Sequence, residues 1–332
     1  MRVLLVGATE VRSSDATLLL GKAFGRQGCE VEVLPATTEL PWFAAVGAAG
    51  GRFDDRGYQV GFSRRLWAVA DRFHPDVVFL YGSNWGVLPR TIRRLQRRHG
   101  CLVALWEVNH FVFGGVGSAA LPLYDQVFAL DSYFVPVLRV AGARRVRHLP
   151  ACADPEEHAP PHLSGDEHEW YGADLCFVGH HSEERAAMID SLRHLDVRVY
   201  GTGWVAGGRL AGDRLRTEPV YGLKKNKVYG ASRLSLNVHQ PHMVHGENFR
   251  VFEVAACGGL SISGLKPDLA GCLEPGSEVA VFEGAGDLRA KVDALLEDPD
   301  ERHRLAAAGR RRVLAEHTYD HRATSILETL AR

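Results

Sequence analysis

The chain has 332 residues, enough for two domains of ordinary size or one large one. Apolar residues make up 46% and charged residues 24%, which provides for a normal core and excludes disorder over most of the length. With 39 basic and 40 acidic residues the net charge is -1, so no overall basic field exists to hold nucleic acid or an anionic membrane, and only a local basic patch is allowed.

Continuously apolar runs alternate with helix-period segments from the start. In the first half the pattern predicts strands at 3–6, 31–34, 77–80, 102–106, 127–130 and 147–149. Between them it predicts helices at 17–27, 64–73, 88–99 and 134–141. Apolar strands separated by helices argue for a parallel sheet covered on both faces, joined by right-handed crossovers. Residues 149–170 break the pattern with four prolines and many charges, which reads as a linker. The alternation then restarts, with strands expected at 173–178, 197–200, 234–238, 260–263 and 279–282. Helices are expected at 183–194, 248–257, 287–297, 301–316 and 321–331. The result is an α/β chain of two Rossmann-like, doubly wound parallel-sheet domains, 1–150 and 151–318, followed by a terminal helical segment, 319–332. Open parallel sheets take ligands beyond the carboxyl ends of their strands, so two such domains are expected to face one another across a ligand-binding cleft.

Six cysteines (Cys29, Cys101, Cys152, Cys176, Cys257, Cys272) lie far apart with no CxxC, which reads as buried thiols in a reducing compartment. The opening MRVLLVGATE is too short an apolar run for a signal peptide, and no stretch reaches 18 apolar residues. A cytoplasmic protein without a transmembrane segment is the expectation.

Several motifs fail on their spacing. The turn from Gly7 to Arg12 has Thr9 and Arg12 where a dinucleotide fingerprint needs glycine. Gly21-Lys22 lacks the rest of a P-loop. His239, His242 and His245 recur every third residue, but Pro241 interrupts them and no carboxylate pattern completes a metal site, so no metal is expected. Asp298-Pro299-Asp300 resembles a DxD motif, yet it sits where a helix begins and reads as Asp298 capping that helix with Pro299 at its first position.

The stretch 236–260, LNVHQPHMVHGENFRVFEVAACGGL, is the most informative. A strand ends at 237–239, a polar loop follows, and Phe249, Phe252 and 254–256 form the apolar face of a helix ending at Gly258-Gly259. That places a helix N-terminus, with its unpaired N–H groups and partial positive charge, at the carboxyl edge of the sheet, where a phosphate would sit. Arg250 in the first turn opposes the helix dipole, a mismatch relieved by an anion between them. Glu253, three residues on, fits the hydroxyls of a ribose, or forms a surface ion pair with Arg250. Lys224, Lys225 and Lys227 reach a diphosphate or form a solvated helix face.

GENFRVFEVAACGGL resembles the signature of glycosyltransferases with the GT-B architecture, in particular the group-1-like proteins related to the spore maturation protein CgeB. Phe177-Val178-Gly179 with Glu184-Arg185, Tyr200-Gly201 with Gly203-Trp204, 219–222, Ser232 to Asn237, Ala308-Gly309-Arg310 and 316–319 with Arg322 resemble further landmarks of that family in the same order, over residues 125–332. The chain departs from the pattern at His245, where relatives carry the first of two glutamates, Glu253 being the second. Either Glu247 compensates or the donor sugar is held differently. It departs again at 106–110, where relatives show paired aspartates.

The resemblance implies a glycosyltransferase that moves a sugar from a nucleoside-diphosphate sugar to an acceptor hydroxyl or amine, retaining and metal-independent, with no cofactor beyond that co-substrate. It also implies that 1–150 binds the acceptor, that 151–318 binds the nucleotide sugar, and that the terminal helix at 319–332 crosses back to the N-terminal domain. Donor-binding candidates are Gly179, His180, Tyr200, Gly201, Tyr221, Lys224, Asn237, His239, Glu247, Asn248, Phe249, Arg250 and Glu253. Catalytic candidates are Arg250, Glu107 and His110; the last two follow the strand at 102–106, and His110 serves as a base, steadies the sugar, or is a satisfied buried histidine. Gly7, Thr9 and Glu10 close the first strand and are the acceptor-side candidates. Arg-heavy, Lys-poor basic usage points to a GC-rich bacterial genome. A sugar-nucleotide epimerase or hydrolase of the same fold, and a binding protein without turnover, are the competing readings.

Overall fold

The computed structural model describes residues 1–9, 16–36, 56–108, 115–204, 215–216 and 218–332. The chain divides into two compact units, one of Met1–Pro150 with Tyr319–Arg332 and one of Ala151–Thr318.

The first unit is built on β1 (Arg2–Gly7), β2 (Glu30–Pro35), β3 (Val77–Gly82), β4 (Leu102–Glu107), β5 (Gln126–Ala129) and β6 (Val146–His148). They form one parallel sheet in the order β2-β1-β3-β4-β5-β6. All six residues of β3 are buried, as a strand covered on both faces requires. α1 (Ala16–Arg26) connects β1 to β2, and α2 (Arg56–Phe73), α3 (Pro89–His99), α4 (Gly115–Ala120) and α5 (Phe134–Val140) follow in turn. Phe62, Leu66, Ile92, Leu95, Leu121 and Leu138, from the layer of α2 to α5, share one core with Leu4, Val6, Val78 and Leu80 of the sheet. These helices therefore form a single layer on one face.

The second unit contains β7 (Leu175–Val178), β8 (Val197–Tyr200), β9 (Leu215–Arg216), β10 (Leu234–Asn237), β11 (Ser261–Gly264) and β12 (Ala280–Phe282). Its parallel order is β12-β11-β10-β7-β8-β9. Read from the other edge this is the 3-2-1-4-5-6 order of a doubly wound nucleotide-binding sheet, and the direction of winding reverses between β7 and β10. The helices are α6 (Gly165–Tyr171), α7 (Glu183–Asp190), α8 (Gly222–Ala231), α9 (Phe249–Ala256), α10 (Gly284–Glu297) and α11 (Pro299–Glu316). Asp298 caps α11 by accepting from the Glu301 N–H at 2.9 Å, with Pro299 in the first turn.

The last helix, α12 (Tyr319–Leu330), returns to the first unit and packs on α1. Arg26 pairs with Asp320 at 2.7 Å, Arg322 donates to the Pro150 carbonyl at 2.7 Å, and Arg147 donates to Thr329 Oγ1 at 2.7 Å.

The linker expectation for 149–170 is corrected at both ends. Ala151, Cys152, Ala153 and Asp154 are fully buried in the second unit, and the Ala153 N–H donates to the His317 carbonyl at 3.0 Å. Residues 165–171 form a helix, because Ser164 and Glu167 make a reciprocal capping box that outweighs the proline-rich composition before it. α2 begins eight residues earlier than the apolar period implies, at Arg56 rather than 64, and α7 stops at Asp190 rather than 194. α4 and the two-residue β9 carry too few apolar residues for periodicity to reveal them.

Candidate functional site

The second unit's winding reversal falls between β7, which ends at Val178, and β10, which ends at Asn237. Both strands lead into helices. Ser182 caps α7, its Oγ accepting from the Arg185 N–H at 3.3 Å. Asn248 caps α9, its Oδ1 accepting from the Arg250 N–H at 3.0 Å. Two helix N-termini thus open at the carboxyl edges of adjacent central strands, the position from which phosphate is bound in such sheets.

Two arginines occupy this edge. Arg250 Nε donates to the Val178 carbonyl at 2.7 Å, and its Nη1 donates to Asn237 Oδ1 at 2.5 Å. The dipole mismatch read from the sequence is therefore answered by carbonyl and amide oxygens at the ends of β7 and β10, toward which the side chain turns. The buried Arg185 donates through Nε and Nη2 to the Val238 carbonyl at 3.1 and 2.9 Å, and through Nη1 to the His180 carbonyl at 3.0 Å. Burial first, then the charge of Arg250, push the Arg185 guanidinium down to about 9. It still carries its proton at neutral pH. No carboxylate of the described residues lies within ion-pairing distance of either guanidinium. Two cations oriented by neutral oxygens leave net positive charge at the strand ends, which is the arrangement an anion completes.

Gly179 lies between them. A Cβ there would meet Arg250 Nη2 at 2.8 Å and the Phe177 ring at 3.1 Å. Gly201 adopts φ +146, and a Cβ on it would stand 2.1 Å from the Gly179 carbonyl oxygen. The same carbonyl accepts from Trp204 Nε1 at 2.9 Å, while His180 Nδ1 and Thr202 Oγ1 share a hydrogen bond at 2.6 Å. The His180 imidazole titrates below its ordinary value, through desolvation first and then the charges of Arg185 and Arg250.

Asn237 links the β10 end to the loop. Its Oδ1 also accepts from Asn248 Nδ2 at 2.8 Å, and its Nδ2 donates to Ser263 Oγ at 3.0 Å and to Glu247 Oε2 at 3.4 Å. His239 Nε2 shares a hydrogen bond with the same Glu247 oxygen at 2.8 Å. Glu247 is buried, and among the described residues its Oε1 has no hydrogen-bond partner. Burial raises its pKa, against the opposing pull of His239. Among the described residues no group of three or more His, Cys, Asp or Glu is arranged to hold a metal ion.

The surface Arg250–Glu253 pair considered from the sequence does not form. Glu253 is buried, with Lys225 Nζ 2.9 Å from Oε2 and His158 Nε2 3.6 Å from Oε1. The Asp154 N–H donates to His158 Nδ1 at 3.0 Å, so in its neutral form that ring presents Nε2–H to the glutamate. Burial pushes the Glu253 pKa up, but Lys225, His158 and Arg250 together hold it below the ordinary carboxylate value.

Of the three lysines, Lys225 serves Glu253, Lys227 pairs with Glu167, and Lys224 is exposed on α8. Tyr200 is buried at the end of β8, Tyr221 is the residue preceding α8, and Phe249 opens α9.

In the first unit Gly7 closes β1 against Thr17 of α1, where a Cβ would meet Thr17 Oγ1 at 2.5 Å, and Thr9 follows two residues later, half-buried. Glu107 is buried at the end of β4. Glu10 and His110 lie outside the described residues. Sequence reasoning missed Arg185 and His158 as site residues. Arg185 had a signal, a cation in the first turn of a helix after the β7 glycine turn. His158 had none, since its segment read as linker.

Comparison with known proteins follows the same lines. The family described as "Glycosyl transferase-like" matches residues 184–328. The spore protein CgeB of Bacillus subtilis (strain 168) is 21% identical over 239 residues, covering 66% of this chain and 72% of that protein. Among solved structures, sucrose-phosphate synthase from Thermosynechococcus elongatus superposes with a TM-score of 0.70 at 14% identity, covering 99% of this chain and 98% of that one. Anabaena HepE, in complex with UDP and glucose, superposes with a TM-score of 0.69 at 11% identity, covering 100% and 99%.

Proposed function

We propose that this chain, which has the GT-B fold, is a group-1-like glycosyltransferase that moves a sugar from a nucleoside-diphosphate sugar to an acceptor hydroxyl or amine, with retention at the sugar carbon. The observation that carries this reading is the pair Arg185 and Arg250, two cations without a carboxylate partner among the described residues, at the strand ends of the second unit. A fold neighbour in complex with UDP-glucose supports a nucleotide sugar as the donor.

Breaking the sugar–phosphate bond builds negative charge on the departing diphosphate. Arg185, Arg250 and the N-termini of α7 and α9 are pre-oriented for that charge, and one such donor is worth about 2.7–4 kcal/mol in a transition state. Since these groups supply the counter-charge, the reading assigns no step to a metal ion. Glu253, held ionised by Lys225, accepts the ribose hydroxyls. Asn237, His239 and Glu247 form the wall beside the donor sugar. On the acceptor side the reading assigns Gly7, Thr9, Glu10, Glu107 and His110, with the leaving phosphate oxygen taking the acceptor proton.

Titration calorimetry with a panel of nucleoside diphosphates and their sugars tests the reading. At least one diphosphate is expected to bind, and at a hundredfold excess over its Kd to stabilise the fold by about 2.7 kcal/mol. Arg185→Met and Arg250→Ala are each expected to weaken that affinity at least tenfold at a temperature where both variants remain folded. Wild-type protein that binds no nucleoside diphosphate, or variants that bind as well as wild type, would remove the basis of the assignment.

A further inference from the structure

The charge of the chain is unevenly placed. Residues 56–148 contain thirteen arginines, no lysine and five carboxylates (Asp71, Asp76, Glu107, Asp125 and Asp131), although the whole chain sums to -1. Glu107 and Asp131 are buried, so they add little to the outer face. Ten of the thirteen arginines lie on α2, α3 and α5 of the first unit.

α3 concentrates it. Arg90, Arg93, Arg94, Arg97 and Arg98 repeat at helical spacing while Ile92 and Leu95 face the core, and all five arginines are exposed. The helix contains no acidic residue, and no carboxylate of the described residues pairs with any of the five. Together with Trp67 of α2 they line a hollow of about 530 Å³, and the Arg94 guanidinium stacks on the Trp67 ring at 3.7 Å. A stable fold has no need of five adjacent like charges, which repel one another at i,i+3 and i,i+4 spacing.

The second observation lies on α5, across the 121–123 turn from α3: Gln96 of α3 donates to the Leu123 carbonyl at 2.8 Å, and a Cβ on Gly142, just past α5, would meet Pro122 at 3.2 Å. Val140 is 91% exposed and Tyr133 43%, with Pro136 also at the surface. Arg139, Arg144 and Arg145 surround them in sequence and are exposed as well. An arginine-rich helix beside protruding apolar residues on one outer layer is the pattern of an interfacial surface, in which cations meet lipid phosphates and the apolar side chains enter the headgroup region. A soluble polyanion would use the arginines but has no apolar phase to cover Val140. No helix among the described residues is long and apolar enough to cross a membrane, so the contact would be peripheral.

We propose that the α2–α5 face of the first unit docks on an anionic lipid bilayer, through the α3 arginines and the Tyr133–Val140 edge. This surface is separate from the anion site of the second unit and does not rest on the nucleotide reading.

The test is cosedimentation of the full chain with vesicles of phosphatidylcholine alone and with about one third phosphatidylglycerol. Binding is expected only with phosphatidylglycerol and is expected to fall steeply with salt. Arg90→Gln, Arg93→Gln, Arg97→Gln and Arg98→Gln combined, with Arg94 kept on Trp67, should lower the partition coefficient by about a hundredfold or more, near fivefold per residue. Val140→Ser should lower vesicle binding severalfold and leave any binding to long-chain polyphosphate unchanged. Thermal midpoints check that both variants fold. The proposal is overturned by an absence of phosphatidylglycerol-dependent binding, by vesicle binding that survives the fourfold variant, or by tight polyphosphate binding without vesicle binding, which would assign the face to a soluble polyanion.

Discussion

Glu253 shows how a single side chain joins stability to the proposed chemistry. Its buried carboxylate is held by Lys225 and His158, and its pKa lies below the ordinary 4.5. A depressed carboxylate pKa contributes stability that is present above 4.5 and lost as pH falls through the folded value. Glu253→Gln should therefore cost about 3 kcal/mol or more at pH 7, where it strands the Lys225 charge, and the difference from wild type should shrink below pH 4.5. Urea unfolding at pH 7 and at progressively lower pH measures this; a difference independent of pH would mean the carboxylate is not the stabilising form. At this scale the sequence was partly legible. Arg250 and Asn248 could be placed because both lie within one helix start. The partners of Glu253 could not, since His158 lies 95 residues away and only tertiary structure joins them. The same holds for Arg250: the helix dipole made its charge look misplaced, while the Val178 carbonyl that receives it belongs to another strand.

Among elements, the turn after β7 bears most on the site. Gly179 gives Arg250 the space it occupies, and Gly201 allows the Gly179 carbonyl to approach. Gly179→Ala should displace the Arg250 guanidinium and reduce nucleoside diphosphate affinity at least tenfold, while α9 and its Asn248 cap remain formed. Calorimetric titration together with circular dichroism separates the two effects, and unaltered affinity would show that Arg250 has room to spare. Periodicity revealed most elements of this layer, because buried parallel strands are apolar throughout. It missed α6, which is stabilised by the Ser164–Glu167 capping box rather than by an apolar face, and none of whose residues is buried.

At the scale of the molecule, two sheets of six parallel strands follow from alternation that is visible in the chain, whereas a terminal helix crossing back to the first domain is expected from the family resemblance alone. The first unit includes Tyr319–Arg332. Removing residues 319–332 should therefore destabilise the first unit, exposing α1 and releasing the bonds to Asp320, Arg322 and Thr329, and leave the second unit's nucleotide binding in place. Limited proteolysis with mass mapping reads this directly: early cuts in residues 1–150 are expected, and early cuts in 151–318 would contradict it.

The return of α12 also orders events during synthesis. At about 5–20 residues per second the ribosome takes roughly 8–34 s to add Ala151–Thr318, and throughout that interval the apolar side of α1 lacks the helix that covers it. The half translated first is thus the half completed last, and the nascent chain must be shielded over that interval by a chaperone or by its own transient contacts.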